Sequence, residues 1–270
     1  MSSFKFYPGQ MNLTEVNAGV DAFKQNFYPS GIGPNTLGNR FTFNFNDIQG
    51  LVKETGIEND RAVIVIYPGL KRTSTGLQEA YGLRIVALGA VADTIGSNVY
   101  HLVPALSNGS AGAAPTHEFN GTKTVPITGD WSAEMNEYAS QMRVRRTGTP
   151  GSEIGIDYNN NDPKAFHFQW STNLEVLYND NKRALGAPDA RLRICMRGYS
   201  MQWLRAHDVN QDFFLGPDGY RHSVVFHVEF NNGTAWTDQI NNDTPYGSFV
   251  NQALDRAVYC PPHCPKTKSQ

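Results

Sequence analysis

The feature that most constrains this sequence is a pair of apolar runs in its first third, at residues 62–67 and 83–91. The first run consists mainly of Val and Ile, whose β-branched side chains suit a pleated strand better than a helix. It shows no alternation of apolar and polar residues, which indicates a strand that is covered on both faces. Pro68 and Gly69 are expected to end that strand, because proline lacks a backbone donor and glycine favours turns. We therefore predict that the two runs are strands of an interior sheet.

Composition places this sheet in an α+β protein. The chain has 270 residues, of which 40% are hydrophobic and 18% are charged, with 25 Gly and 15 Pro. This combination predicts a mixed β-sheet with a few short helices and a β-rich C-terminal half. The length suits a single domain over residues 1–259, with a candidate internal boundary near 107–116 and a Cys/Pro tail at 260–270.

Periodicity and turn residues predict the individual elements. Helices are expected from Thr14 to Pro29, over about 47–55, from about 130 to 146, and over 246–258. Alternating strands are expected at 41–45, 166–170, 191–204 and 223–230, with a hairpin turn at Asn232-Gly233. The segment 41–67 is expected to form a β-α-β unit whose two strands are parallel.

Net charge bears on partners and location. A formal charge of −2 creates no general attraction for nucleic acid or membrane surfaces. We find no apolar run long enough to cross a bilayer and no conventional secretory signal at the N-terminus. These patterns favour a cytoplasmic location or a non-classical export route.

A group of arginines is the one pattern that suggests a nucleic-acid partner. Beside Tyr199 and Trp203, these residues could bind a single strand by stacking and phosphate contacts. Because the whole chain is slightly acidic and arginine commonly forms structural ion pairs, we predict no nucleic-acid partner. The group comprises Arg143, Arg145, Arg146, Arg183, Arg191, Arg193, Arg197 and Arg205.

The C-terminal segment carries a compact set of candidate metal ligands. Cys260, His263 and Cys264 could bind zinc, although a fourth ligand such as Cys195 would have to come from elsewhere. A disulfide between Cys260 and Cys264 is an equal alternative, and an unstructured tail with two thiols is a third.

Two strands carry the candidate catalytic residues. His167 lies in one predicted strand, and His227 and Glu229 lie in another, on the face opposite the aromatic residues. If the two strands are neighbours, the three side chains could form a metal-binding surface of two histidines and one carboxylate. The alternative is an ordinary solvated face of an antiparallel sheet.

The polar segment between the two apolar runs is a candidate anion site. Lys71, Arg72, Ser74 and Thr75 combine cations and hydroxyls after a predicted strand, but the spacing is not that of a phosphate loop. The alternative is a solvated hairpin connection.

These patterns leave several function classes open. The best hypothesis is a non-catalytic structural or protein-interaction protein that self-assembles into a homo-oligomer. A metal-dependent hydrolase that uses His167, His227 and Glu229 is the alternative, and a glycan-binding module is a third.

Overall fold

The computed structural model describes residues 9–30, 40–54, 58–72, 78–92, 100–103, 117–119, 124–126, 132–145, 151–156, 165–185, 189–199, 221–242, 253–255 and 258–260. Within these ranges the chain has an α+β fold, as predicted, and every strand pair is antiparallel. The helices are α1 (Leu13–Asn26), α2 (Phe45–Glu54), α3 (Ser132–Gln141) and α4 (Glu175–Leu185). The strands are β1 (Gly9–Met11), β2 (Phe27–Pro29), β3 (Arg40–Asn44), β4 (Ala62–Arg72), β5 (Gln78–Ala92), β6 (Tyr100–Val103), β7 (His117–Phe119), β8 (Thr124–Pro126), β9 (Met142–Arg145), β10 (Glu153–Gly155), β11 (Ala165–Gln169), β12 (Ala190–Tyr199), β13 (Arg221–Asn231), β14 (Trp236–Asp238), β15 (Ala253–Asp255) and β16 (Val258–Cys260).

The described strands form three sheets. Sheet A has the order β1-β15-β13-β12-β3, with β14 also paired to β13. Sheet B is the small sheet β10-β9-β2. Sheet C has the order β16-β11-β4-β5-β7-β8, with β6 also paired to β5.

The first apolar run is the interior strand that its composition predicts. In β4, residues Ala62 to Ile66 are at most 1% exposed, and the strand lies between β11 and β5. However, β4 continues through Pro68 and Gly69, where we expected it to end. Proline is tolerated there because the pairing with β11 stops at Ile66, so that β4 has a free side at that point among the described residues.

Sheets A and C pack face to face. The rings of Phe168 in β11 and Phe226 in β13 lie edge to face, with centroids 4.7 Å apart. Ile64 and Leu192, from the same two sheets, belong to the same core cluster. On the other face of sheet A, α1 packs Val16 against a second cluster of apolar residues.

Helix α1 confirms the predicted amphipathic helix but begins two residues earlier. Asn12 is the N-cap, because its side chain accepts from the backbone N–H of Glu15 while the Glu15 carboxylate accepts from the Asn12 N–H. Thr14 instead contacts Asn242. The helix ends before Phe27, which starts β2.

Several other predicted elements were wrong. The segment 41–67 is not a parallel β-α-β unit, because β3 belongs to sheet A and β4 to sheet C. The helix expected up to residue 146 stops at Gln141 and gives way to β9. Strands β15 and β16 contain residues that were assigned to a closing helix. Helix α4, preceded by a π-helical turn at Trp170–Leu174, was not predicted.

Candidate functional site

The two candidate histidines lie in different sheets. His167 is in β11 of sheet C, opposite Val65, and His227 is in β13 of sheet A, opposite Arg193. The condition for a shared site, that their strands are neighbours, is therefore not met. Because Phe168 and Phe226 face each other between the sheets, the residues next to them in sequence point the opposite way. His167 and His227 thus lie on the two outward sides of the pair of sheets and do not share a surface.

His167 is enclosed rather than solvated. His167 is only 2% exposed, and burial lowers the pKa of its imidazole from 6.5 to about 3. Desolvation has this effect because it penalises the charged imidazolium more than the neutral ring. His167 is consequently neutral at physiological pH.

Glu229 is the centre of a compact ion cluster on the outward face of sheet A. Its Oε2 lies 2.8 Å from Nε of Arg191, and its Oε1 lies 2.7 Å from Nε of Arg193. Glu229 is 3% exposed, and the two arginine side chains are 22% and 19% exposed. The cluster follows directly from the strand register, because Arg191 is the cross-strand partner of Glu229 and Arg193 is two residues along.

The cluster is extended by strand β14. The Arg191 guanidinium lies over the ring of Trp236, 4.1 Å from its centroid. On the same strand, Asp238 Oδ2 lies 3.9 Å from Nε2 of His227. One carboxylate that holds two guanidinium groups across strands is well suited to fixing the register of a sheet. The same contacts occupy the carboxylate that a metal centre would have used.

Within the described residues, no group of three or more His, Cys, Asp and Glu side chains is placed to hold a metal ion. Cys195, the possible fourth ligand, lies buried in β12. Cys260 lies in β16 with Ala165 as its strand partner. Its side chain, together with His263 and Cys264, lies outside the described residues, so the zinc and disulfide hypotheses stay predictions.

The candidate anion site is only partly described. Lys71 and Arg72 form the end of β4, which pairs with β5 as a hairpin. Their side chains and the residues Ser74 and Thr75 lie outside the described residues. The hairpin matches the alternative interpretation of this segment, and the anion site stays a prediction.

The arginines are spread over several elements and mostly paired with carboxylates. In sheet B, Arg145 Nη2 lies 3.2 Å from Glu153, and on α4 Arg183 lies 2.7 Å from Asp180. Arg197 is only 1% exposed and lies over the Tyr199 ring. Arg146 and Arg205 lie outside the described residues. Structural pairing therefore accounts for most of the described members of this group.

Sequence reasoning missed one notable histidine. His222 is fully buried, and its Nε2 lies 2.8 Å from the hydroxyl of Tyr138 on α3. Its ring is close to those of Phe27 and Phe166, with centroids 5.1 and 5.5 Å away. The sequence signal was the alternation of side chains along a strand. His222 is an even number of residues from Phe226, so both side chains lie on the same face of β13, which is the core face.

Comparison with known proteins gives no further guide: no family model, curated protein or solved structure matches this chain. Among the helices of the described residues, no candidate for a membrane-spanning segment is found.

Proposed function

We propose that this chain is a non-catalytic structural or protein-interaction protein that assembles with copies of itself. The observation that carries the proposal is the ion cluster of Glu229 with Arg191 and Arg193. A carboxylate that serves as a general acid or base must reach its substrate. Glu229 is instead buried and held by two cations across the strands of sheet A.

The environment of His167 supports the same proposal. A general base works best when its pKa lies near the working pH. The pKa of His167 is lowered to about 3 by burial, which suits a packed side chain better than a proton-transfer group. His167, His227 and Glu229 do not share a surface, which argues against a hydrolase that would use them together.

Self-assembly is supported by the character of sheet B. This small sheet carries the exposed Ile154, at 46%, on its outermost described strand. Exposed apolar side chains on unpaired strand edges are typical of association sites. No described feature supports glycan binding in the same way.

Light scattering coupled to size-exclusion chromatography tests the proposal. We expect the full chain to form a homo-oligomer whose population rises with protein concentration. A strict monomer at the highest soluble concentration would contradict self-assembly. Turnover of a hydrolase substrate that is lost in Glu229→Gln, while the folded fraction is unchanged, would contradict the non-catalytic assignment.

A further inference from the structure

Strand β10 forms one edge of sheet B. Among the described residues it pairs only with β9, and the opposite edge of the sheet is β2. Strand β2 ends at Pro29, which lacks the backbone N–H that a further strand would need. The edge formed by Glu153, Ile154 and Gly155 contains no proline, so each of its three residues has a backbone N–H.

The direction of the backbone groups in β10 follows from the pairing of its neighbours. The N–H of Ile156 donates to the carbonyl of Met142 at 3.3 Å. Since bonded and non-bonded pairs alternate in an antiparallel ladder, Ile154 also bonds to β9, and Glu153 and Gly155 point their N–H and C=O groups outward. On the other side of β9, the N–H of Ser30 donates to the carbonyl of Gln141 at 2.7 Å. Alternate residues of β9 therefore bond to β2, which leaves Met142 and Val144 to bond to β10, in agreement with this assignment.

The edge also carries a defined pattern of charge. Glu153 lies beside Arg145, with Oε1 3.2 Å from Nη2, and the backbone N–H of Gly151 donates to the same oxygen. Hydrogen bonds from backbone N–H groups, first that of Gly151 and then that of Glu153 itself, hold the pKa of Glu153 at about 2, with smaller effects from Tyr28 and Arg145, so the residue is anionic at neutral pH. Gly155 has no side chain, and a Cβ placed there would lie only 3.2 Å from Nη1 of Arg143. The edge therefore presents a carboxylate at one end and a guanidinium at the other, on one face of the sheet.

We infer that β10 is a self-pairing edge, on which a second copy of this chain adds its own β10 in antiparallel orientation about a two-fold axis at Ile154. The inference rests on the proposed self-assembly and names its surface. Glu153 of each copy lies opposite Gly155 of the second copy, so that the outward backbone groups bond in two equivalent pairs. Its carboxylate then faces Arg143 of the second copy across the space that glycine leaves.

Ile154 contributes the apolar part of this contact. On the axis it lies opposite Ile154 of the second copy as a non-bonded pair, the type in which the side chains approach most closely. This contact would cover a side chain that is 46% exposed in the single chain.

Charge selects this register over its neighbours. An axis at Glu153 would place two carboxylates directly opposite each other, which is unfavourable. An axis at Gly155 would align Arg143 with Arg143 of the second copy and leave Glu153 without a cation from that copy. A shift of one residue in pairing would mismatch the outward backbone groups and the two faces of the strand.

A symmetric cross-link tests the inference directly. In a full-length background with Cys260→Ser and Cys264→Ser, the substitution Ile154→Cys places two thiols across the axis at a distance that a disulfide can span. We expect mild oxidation to give a covalent dimer. The matched control is Ser152→Cys in the same background, which the two-fold axis places opposite Ile156 of the second copy and which should not cross-link efficiently.

A charge reversal provides the second arm. Arg143→Glu places a carboxylate against Glu153 of the second copy at both symmetric positions. We expect the dissociation constant of the dimer to rise about tenfold or more. Arg183→Glu, on the exposed face of α4, is the control and should leave dissociation unchanged. Circular dichroism verifies that each variant is folded.

The outcomes separate the inference from the function on which it rests. A parent chain that stays monomeric overturns both. A parent that oligomerises, with no Ile154→Cys cross-link above the Ser152→Cys control and no effect of Arg143→Glu, retains self-assembly but overturns the β10 interface. If Arg143→Glu lowers stability, the cross-link alone decides, because Ile154 is exposed and its replacement does not disturb the core.

Discussion

At the residue scale, burial decides what the polar side chains of this chain can do. For His167, His227 and Glu229 the sequence left a metal-binding surface and a solvated sheet face as alternatives, yet each residue is at most 4% exposed. Alternation correctly separated them from the aromatic residues, but it carries no information on what covers the second face of a sheet. Their predicted role as a shared metal site depended on a strand adjacency that only the tertiary fold could provide.

The buried His167 should make the protein sensitive to acid. Its pKa is about 6.5 when unfolded and about 3 when folded, so the unfolded chain binds the extra proton as the pH falls between those values. The contribution of His167 to the free energy of unfolding is fully present above pH 6.5 and is lost as the pH falls through this window. The loss from this residue is about 2 kcal/mol at pH 5. His167→Gln should remove that part of the decline.

Urea unfolding at pH 7.5 and pH 5 measures this effect in the parent and the variant. The difference between the two proteins isolates His167 from the other buried histidines, His222 and His227. An equal loss of stability in both proteins on acidification would contradict the assignment.

At the scale of elements, close backbone contact decides where the helices sit. Helix α1 crosses β12 so closely that a Cβ on Gly198 would lie 3.1 Å from the backbone N of Phe23 and 3.2 Å from the carbonyl carbon of Ala22. Helix α3 approaches β4 in a similar way, with the corresponding position on Gly69 lying 3.2 Å from Cβ of Glu134. Gly69 was predicted to end β4, but it lies within the strand and leaves room for the close approach of α3.

Gly198→Ala should therefore lift α1 from sheet A. Backbone atoms cannot yield as a flexible side chain can, so we expect a loss of about 1–3 kcal/mol in the free energy of unfolding. Gly69→Ala is the matched control. It makes the same change in a strand, but the nearest backbone atoms of α3 lie 3.6 Å away, at ordinary contact distance, so it should cost less.

Urea unfolding compares the two variants, and hydrogen exchange of the α1 amides reports the local effect. Faster exchange in α1 is expected for Gly198→Ala alone. Equal losses of stability in both variants, with unchanged exchange in α1, would contradict this account of the contact.

At the scale of the whole molecule, the packing of sheet A on sheet C organises the core. Residues from both sheets and from all four described helices or their flanks join one apolar cluster, including Phe23, Leu51, Tyr138 and Leu177. The aromatic contact between Phe168 and Phe226 lies between the two sheets. This arrangement also sends His167 and His227 to opposite sides.

A double-mutant cycle on Phe168 and Phe226 tests this packing. An edge-to-face pair should couple by about 0.5–1.5 kcal/mol when Phe168→Leu and Phe226→Leu are combined. Phe168→Leu combined with Val16→Ala is the control, because Val16 belongs to the other cluster and the two effects should add. Urea unfolding of the single and double variants supplies the energies, and additivity of the Phe168 and Phe226 effects would contradict direct packing.

The sequence by itself determined the elements whose signal is local. The β-branched run at 62–66, the amphipathic α1 and the alternating β13 could be recognised because the residue types or their spacing along each segment indicate its secondary structure. Helix α4 was missed although the buried residues Leu174, Leu177 and Tyr178 fall at the i, i+3 and i+4 spacing of one helix face.

The tertiary structure decided which strands pair and which faces are covered. Pairing joins segments far apart in the chain, such as β11 with β4 and β3 with β12, and the energy that selects them comes from burial and cross-strand contacts rather than local propensity. For the same reason, the cluster of Arg191, Arg193 and Glu229 became visible only once the register of β12 against β13 was known.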